Sequence, residues 1–328
     1  MQLQFFRQSY IIQYIVLALL ALALWIPSFV STPTDVDMTS PVTPLFNFFN
    51  RILGFSPYAK LTFAFLLMVF ETLFFNSILV GNQIVTKVSV MGAFVFLLLM
   101  NLTMTQTVFC PFALATLFIL ALMNSLFLVY LTPNVEIYLL NAGIFLGLAT
   151  MCYFQSIVLI VWVIIALIIS KKGSLRYQLI PLIGFLVPYF IYFVIAYFRG
   201  DFLEVWGGYA DCLSVFAFTV KGFKMWDLVV LGVVALSAIF LVWGGGTSNY
   251  EKTVAVRMKV AMTIVLIFFG VIMLFTGDSV LLNGLFFIAL SVILSYEFSY
   301  IGNTGWADLA LAFVLLLVFA NKFYFQIV

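Results

Sequence analysis

Apolar residues fall in long runs broken by short polar stretches, at about 10–30, 60–81, 88–101, 111–131, 138–151, 153–170, 178–198, 226–243, 260–276, 280–296 and 307–321. A spanning helix needs about 20 apolar residues to cross a hydrocarbon core of about 30 Å, so these runs predict an all-α polytopic bundle of about eleven transmembrane spans. The 88–101 run is short for a span. The stretch 138–170 is divided at Met151-Cys152-Tyr153, because about 33 residues exceed what helix tilt absorbs. The first run, Tyr10 to Val30, is longer than a signal-peptide core and has no small-x-small pattern before Pro27, so it is expected to stay as an uncleaved span.

Orientation follows the Lys and Arg residues of the short loops. With the N-terminus inside, Arg7, Lys87, Lys171, Lys172, Arg176, Lys252, Arg257 and Lys259 lie inside, against Arg51, Lys60, Arg199, Lys221, Lys224 and Lys322 outside. The two compact basic loops, Lys171–Arg176 and Glu251–Lys259, both fall inside, which expects a cytoplasmic N-terminus. Two outer loops are long. Ser31–Tyr58 contains Pro44–Gly54, which reads as a short helix lying in the interface; Arg199–Phe223 mixes acids with aromatics.

Composition sharpens this picture: the 328 residues are 66% hydrophobic and 8% charged, far from the soluble norm, and 14 Lys+Arg against 12 Asp+Glu leaves no basic tract for nucleic acid. There is no His. This removes Ser-His-Asp hydrolysis, His-ligated haem and His-bound iron from consideration. Among residues able to carry chemistry, Glu71 sits near the middle of a span, where a carboxyl must face the bundle interior, hold a proton or find a partner; Asn76 on the same span is a candidate helper. Glu297, near the inner end of the tenth span, reads as a solvated or paired end residue. Asp35 and Asp37 lie two apart in a Pro-flanked outer segment, a spacing that points both carboxylates one way on an extended backbone and suits a divalent metal or an acid and base pair. Asp211 is a further catalytic candidate, whereas Asp201 and Glu204 read as loop charges beside Arg199. No cofactor is otherwise expected. Cys110, Cys152 and Cys212 match no metal spacing and read as buried thiols rather than a disulfide pair. Gly143, Gly147 and Ala149 form a small-residue face that permits close helix packing.

The stretch Asn141-Ala-Gly-Ile-Phe-Leu-Gly-Leu-Ala-Thr-Met-Cys-Tyr-Phe-Gln-Ser156, then Lys171-Lys-Gly-Ser-Leu-Arg176 and Leu179-Ile-Pro-Leu-Ile-Gly-Phe-Leu-Val-Pro-Tyr-Phe190, resembles an uncharacterised family of polytopic inner-membrane proteins from Bacteroidota. More distantly it resembles the GT-C-type membrane glycosyltransferases, over about residues 1–200. That resemblance implies a GT-C-like module in 1–200, followed by an outer loop and four C-terminal spans in 201–328. It further implies a lipid-linked sugar donor entering from the bilayer, Asp35 or Asp37 as base or metal ligand, and Arg51, Lys60 or Arg199 as partners of the donor phosphate. The sequence departs from that pattern in the short first loop and in the absence of an acid between Leu102 and Pro111. The leading expectation is a protein that binds or processes a lipid-linked envelope precursor at the outer face. A non-catalytic membrane subunit of an envelope or secretion complex, with membrane-protein partners, is the second; a transporter with Glu71 as coupling acid is the third.

Overall fold

The computed structural model describes residues 5–8, 10–30, 42–54, 56–85, 89–102, 109–130, 135–214, 254–272 and 279–300, with further positions between 308 and 319. Among these residues the chain is all-helical, with no strand. The helices are α1 (Ile11–Val30), α2 (Pro44–Leu53), α3 (Pro57–Gly81), α4 (Met91–Met100), α5 (Pro111–Leu128), α6 (Val135–Cys152), α7 (Leu159–Ile169), α8 (Leu175–Arg199), α9 (Phe202–Ser214), α10 (Val254–Ile272) and α11 (Ser279–Tyr300). Five of them, α1, α3, α5, α6 and α8, are long and apolar enough to cross a membrane. The exposed face of α8 carries Ile183, Leu186, Phe190, Ile191 and Val194. A face of that chemistry needs a bilayer or a partner to cover it. The expected run 226–243 lies outside the described residues, and 307–321 is described only in part.

The division of the 138–170 stretch is present in the fold. Helix α6 ends at Cys152, Tyr153 is extended (φ −144°, ψ 102°), and a 3-10 turn over Phe154–Val158 leads into α7. The register of neighbouring contacts then gives the direction of each helix. Glu136 at the start of α6 pairs with Arg176 at the start of α8 (2.6 Å). Further along, Gly143 meets Pro181 and Gly184, Gly147 meets Phe185 and Pro188, and Tyr189 Oη donates to Thr150 Oγ1 (2.9 Å). Residue numbers rise together on both helices, so α6 and α8 run parallel. The intervening 3-10 turn and α7 must therefore return across the bundle, and Lys171, in the left-handed region at φ 59°, turns the chain into α8. A cation-π contact of Lys172 with Tyr177 (5.7 Å) lies at the same turn.

The 88–101 run differs from a full span. It forms α4, ten residues in length, which is about 15 Å of helix and too short to cross a hydrocarbon core of about 30 Å. Every residue of α4 is buried, so its surroundings are protein on all sides. The pairs Leu79–Gly92 and Phe75–Phe96 set it antiparallel to α3. Phe6 stacks on Phe94, with ring centroids 4.1 Å apart, and closes the near end of α4.

A helix that starts inside a bundle has N–H groups that no water can reach, and these must be satisfied by protein. Here Asn76 Oδ1 accepts from Ala93 N (3.2 Å), Ser89 Oγ accepts from Met91 N (3.1 Å), and Val90 N donates to Phe6 O (3.0 Å). Asn76 Nδ2 also donates to Ser89 O (3.2 Å). Asn76 is thus a cap for α4 rather than a helper of Glu71, from which it stands five residues along the same helix and about 140° around it.

Candidate functional site

The two ends of the bundle differ in chemistry. One end gathers residues expected inside. Arg7 Nε and Nη2 donate to Phe298 O (3.0 and 2.8 Å), close to the end of α11. Burial lowers the hold of this guanidinium on its proton from the ordinary value, and the charge of Asp308 opposes that shift. Lys259 Nζ donates to Asn82 O (2.9 Å) and Asn82 Oδ1 (3.1 Å), while Asn82 Nδ2 donates to Ile78 O and to Asn124 Oδ1, both at 2.9 Å. Asn82 is the C-cap of α3. Both cations therefore sit on the carbonyl ends of helices, where orphan acceptors and the negative end of the helix dipole favour them. Lys259 departs from expectation: it is not a solvated loop residue but lies on α10 and is 1% exposed. Arg257, from the same basic stretch, is exposed on α10. Glu297 is buried near the end of α11, which leaves the paired rather than the solvated alternative expected for it.

The opposite end carries the residues expected to meet a substrate. Helix α2 forms where an interfacial helix is expected; it packs Phe46 inward against Phe109, at 5.1 Å, and leaves Phe48, Ile52 and Arg51 exposed. Lys60 lies in the first turn of α3 and Arg199 is the exposed last residue of α8. Val42, Met151, Phe154, Tyr189 and Tyr209 form a small apolar cluster, separate from the main core, that joins the segment before α2 to the end of α6, the 3-10 turn and the middles of α8 and α9. Around it Phe193 contacts Trp206, Tyr209 and Phe202 at 5.7–6.0 Å. Asp201 and Glu204 are exposed, but the stretch expected to be a loop forms α9, and Glu204 lies in its first turn rather than in a loop. Asp211 lies on α9, and Asp35 and Asp37 fall outside the described residues. Among the described residues no group of three or more Cys, Asp or Glu is placed to hold a metal.

Between the two ends, Glu71 is 3% exposed, inside the bundle as a mid-span carboxyl requires, and its Oε1 has no hydrogen-bond partner. It lines a small cavity with Ala64, Leu67, Met68, Met100, Ala113 and Thr116. Cys110 and Cys152 are buried thiols, the reading expected for them. Asn82, Asn124 and Ser89 carry the polar end and were not signalled by the sequence, because a lone amide or hydroxyl in an apolar run has no motif around it.

Comparison of the chain with protein-family profiles, with curated proteins and with solved structures finds no match. What defines its class is therefore the architecture: an all-helical protein with apolar helices of membrane-spanning length.

Proposed function

We propose that this chain is a multi-pass inner-membrane protein with its N-terminus in the cytoplasm, about eleven apolar passes, of which the one at α4 has only ten residues of helix, and a GT-C-like arrangement in its first seven. In this reading it binds a lipid-linked envelope precursor at the outer face. The observation that carries the reading is the end of the bundle where exposed Arg51, Phe48 and Ile52 share α2, with Lys60 and Arg199 at the same end. A polyprenyl phosphate presents a negative headgroup on an apolar chain, and an interfacial helix with a cation beside exposed apolar side chains answers both parts. In the same reading Asp35, Asp37 and Asp211, assigned to the outer side from the sequence, would supply base or metal-ligand chemistry on a bound donor.

The test uses the full chain in nanodiscs with undecaprenyl phosphate as the probe. A charge-assisted hydrogen bond contributes about 1.5–3 kcal/mol, so replacing Arg51, Lys60 and Arg199 together with Gln should weaken binding by about tenfold or more. Unchanged binding would overturn the assignment of these cations. Catalysis is tested separately with Asp35→Asn and Asp37→Asn. If an acid works as base or ligand, the pair of substitutions should lower turnover of a lipid-linked donor by about 100-fold while binding persists. A doubly substituted protein that accumulates normally and fully restores a deletion strain would replace the enzyme with a non-catalytic membrane subunit.

A further inference from the structure

Glu71 and the cavity it lines are not used by the proposed precursor site. The carboxyl sits on α3, a helix of 25 residues, and helical side chains lean toward the N-terminus of their own helix. This places it over Leu67 and Met68, which line the cavity, and Ala64 extends the lining by a further turn. The far wall is Met100 of α4 with Ala113 and Thr116 of α5.

The cavity admits about 10 Å³ of water-sized volume. A single water needs roughly 10–15 Å³ on that measure, together with polar partners. Two are present. Glu71 Oε1 is buried without a partner, and the Thr116 hydroxyl, which donates to Phe112 O (2.9 Å), keeps its lone pairs as acceptors. The remaining lining side chains are alanine, leucine and methionine. One carboxylate and one hydroxyl are too few oxygens for a hard cation, which takes six or more, so the donor set suits a water and a proton instead.

Among the described residues no cation on a neighbouring helix is placed to hold Glu71 as an ion pair. Helices α4 and α5 contain no Lys, Arg, Asp or Glu, α1 offers only the exposed Tyr14 as an ionisable group, and the Arg51 of α2 is exposed at the bundle end. Lys259 is committed to Asn82, eleven residues and about 16 Å further along the helix axis. The Cys110 thiol at the head of α5 is a titratable group near enough to feel the charge of Glu71, and the Leu117 backbone amide lies within reach of the carboxyl. Helix α4 also ends at the cavity, so the negative end of its dipole adjoins the carboxyl. A carboxylic O–H can donate to a water there, while an unpaired carboxylate in hydrocarbon surroundings carries a cost of several kcal/mol.

We propose that Glu71, Thr116 and the cavity between α3, α4 and α5 form an intramembrane site for one water and one exchangeable proton. The proton rests on the Glu71 carboxyl and passes to and from the water, so the site exchanges with solvent although the side chain is buried. This inference stands independently of the precursor reading, since no residue is shared between them.

The test is infrared difference spectroscopy on the full chain in proteoliposomes. A protonated-carboxyl C=O band should be present, move to lower frequency in D2O, and be lost in Glu71→Gln. Ala113→Ile, which fills the cavity, should keep the band and abolish its shift in D2O. Absence of the band, or a shift that persists unchanged when the cavity is filled, would overturn the site. Should Glu71→Gln fail to accumulate, mapping of dicyclohexylcarbodiimide adducts on the wild-type protein decides: labelling at Glu71 in intact proteoliposomes supports the site. Labelling there only after unfolding overturns it.

Discussion

The parallel pairing of α6 with α8 rests on glycines that leave no room for a side chain, and this makes Gly143→Ala a sharp test of the fold. A Cβ at Gly143 would overlap the Pro181 carbonyl oxygen and lie 2.9 Å from Gly184 Cα, so its neighbours are backbone atoms that cannot rotate away. The two helices would have to part. Overpacking of a close contact costs about 1–3 kcal/mol, and parting also strains the Tyr189–Thr150 hydrogen bond of 2.9 Å, worth about 1 kcal/mol. Against this, alanine is favoured over glycine inside a helix by about 1 kcal/mol. The net expectation is a loss of about 2 kcal/mol, taking the middle to upper part of those ranges. Gly207 on α9 supplies the control, because a Cβ there would meet nothing within 4 Å; Gly207→Ala should be neutral or gain up to about 1 kcal/mol. Reversible unfolding in mixed micelles, followed by far-UV circular dichroism, measures both. Equal unfolding midpoints for the two variants would refute the close approach of α6 and α8.

Lys259→Ala should destabilise by about 2–3 kcal/mol in the same assay, because it strips the buried Asn82 carbonyl of a charged donor; a change below about 0.5 kcal/mol, as at an ordinary surface site, would show that the cap is not formed. Glu136→Gln should alter stability by less than about 1 kcal/mol, since both members of the Glu136–Arg176 pair are exposed despite their 2.6 Å separation. Cysteine at Ser174 or at Ser248 should be shielded from an impermeant reagent added outside intact cells, and labelling of either would reverse the orientation. An enzymatic reporter fused after Lys322 should be active outside, which active fusions in the cytoplasm would contradict.

The sequence spelled out the helices whose apolar runs were long and bounded by Pro, Gly or charge. Pro57 and Pro111 open α3 and α5, Gly200 closes α8 in the left-handed conformation at φ 83°, and Gly143 and Gly147 announced their packing face. Hydropathy could not say that α4 stops after ten residues. Its pattern carries no face, because every side is buried, and a helix buried all round looks like any other apolar run. The site was legible in part. Glu71 stood out by its cost in hydrocarbon, but its cavity comes from Met100, Ala113 and Thr116 on other helices, and apolar side chains carry no signature of a void. Arg51 and Lys60, offered together with Arg199 as phosphate partners by the GT-C-type resemblance alone, are far from Arg199 in the sequence, and the fold places all of them at one end of the bundle.

The polar end explains why lysine and arginine can mark orientation and also be structural. Helices α3 and α11 both finish at that end, each with carbonyls to which no further turn of helix donates. Arg7 reaches Phe298 across 291 residues of chain and Lys259 reaches Asn82 across 177. A local cap would have served one helix alone, whereas these distant donors also tie the N-terminal segment to α11 and α10 to α3. A cation that satisfies a helix terminus need not be solvated, so its burial is consistent with a place at the membrane boundary. At the start of α4 the need is reversed: buried N–H groups lack a partner within the helix, and an amide and a hydroxyl, Asn76 and Ser89, accept from them. Donors at helix C-termini and acceptors at a helix N-terminus thus follow one requirement, that no backbone polar group be left unpaired where water is absent. The same requirement makes Glu71 stand apart, since its oxygen faces a cavity of water size rather than a helix end.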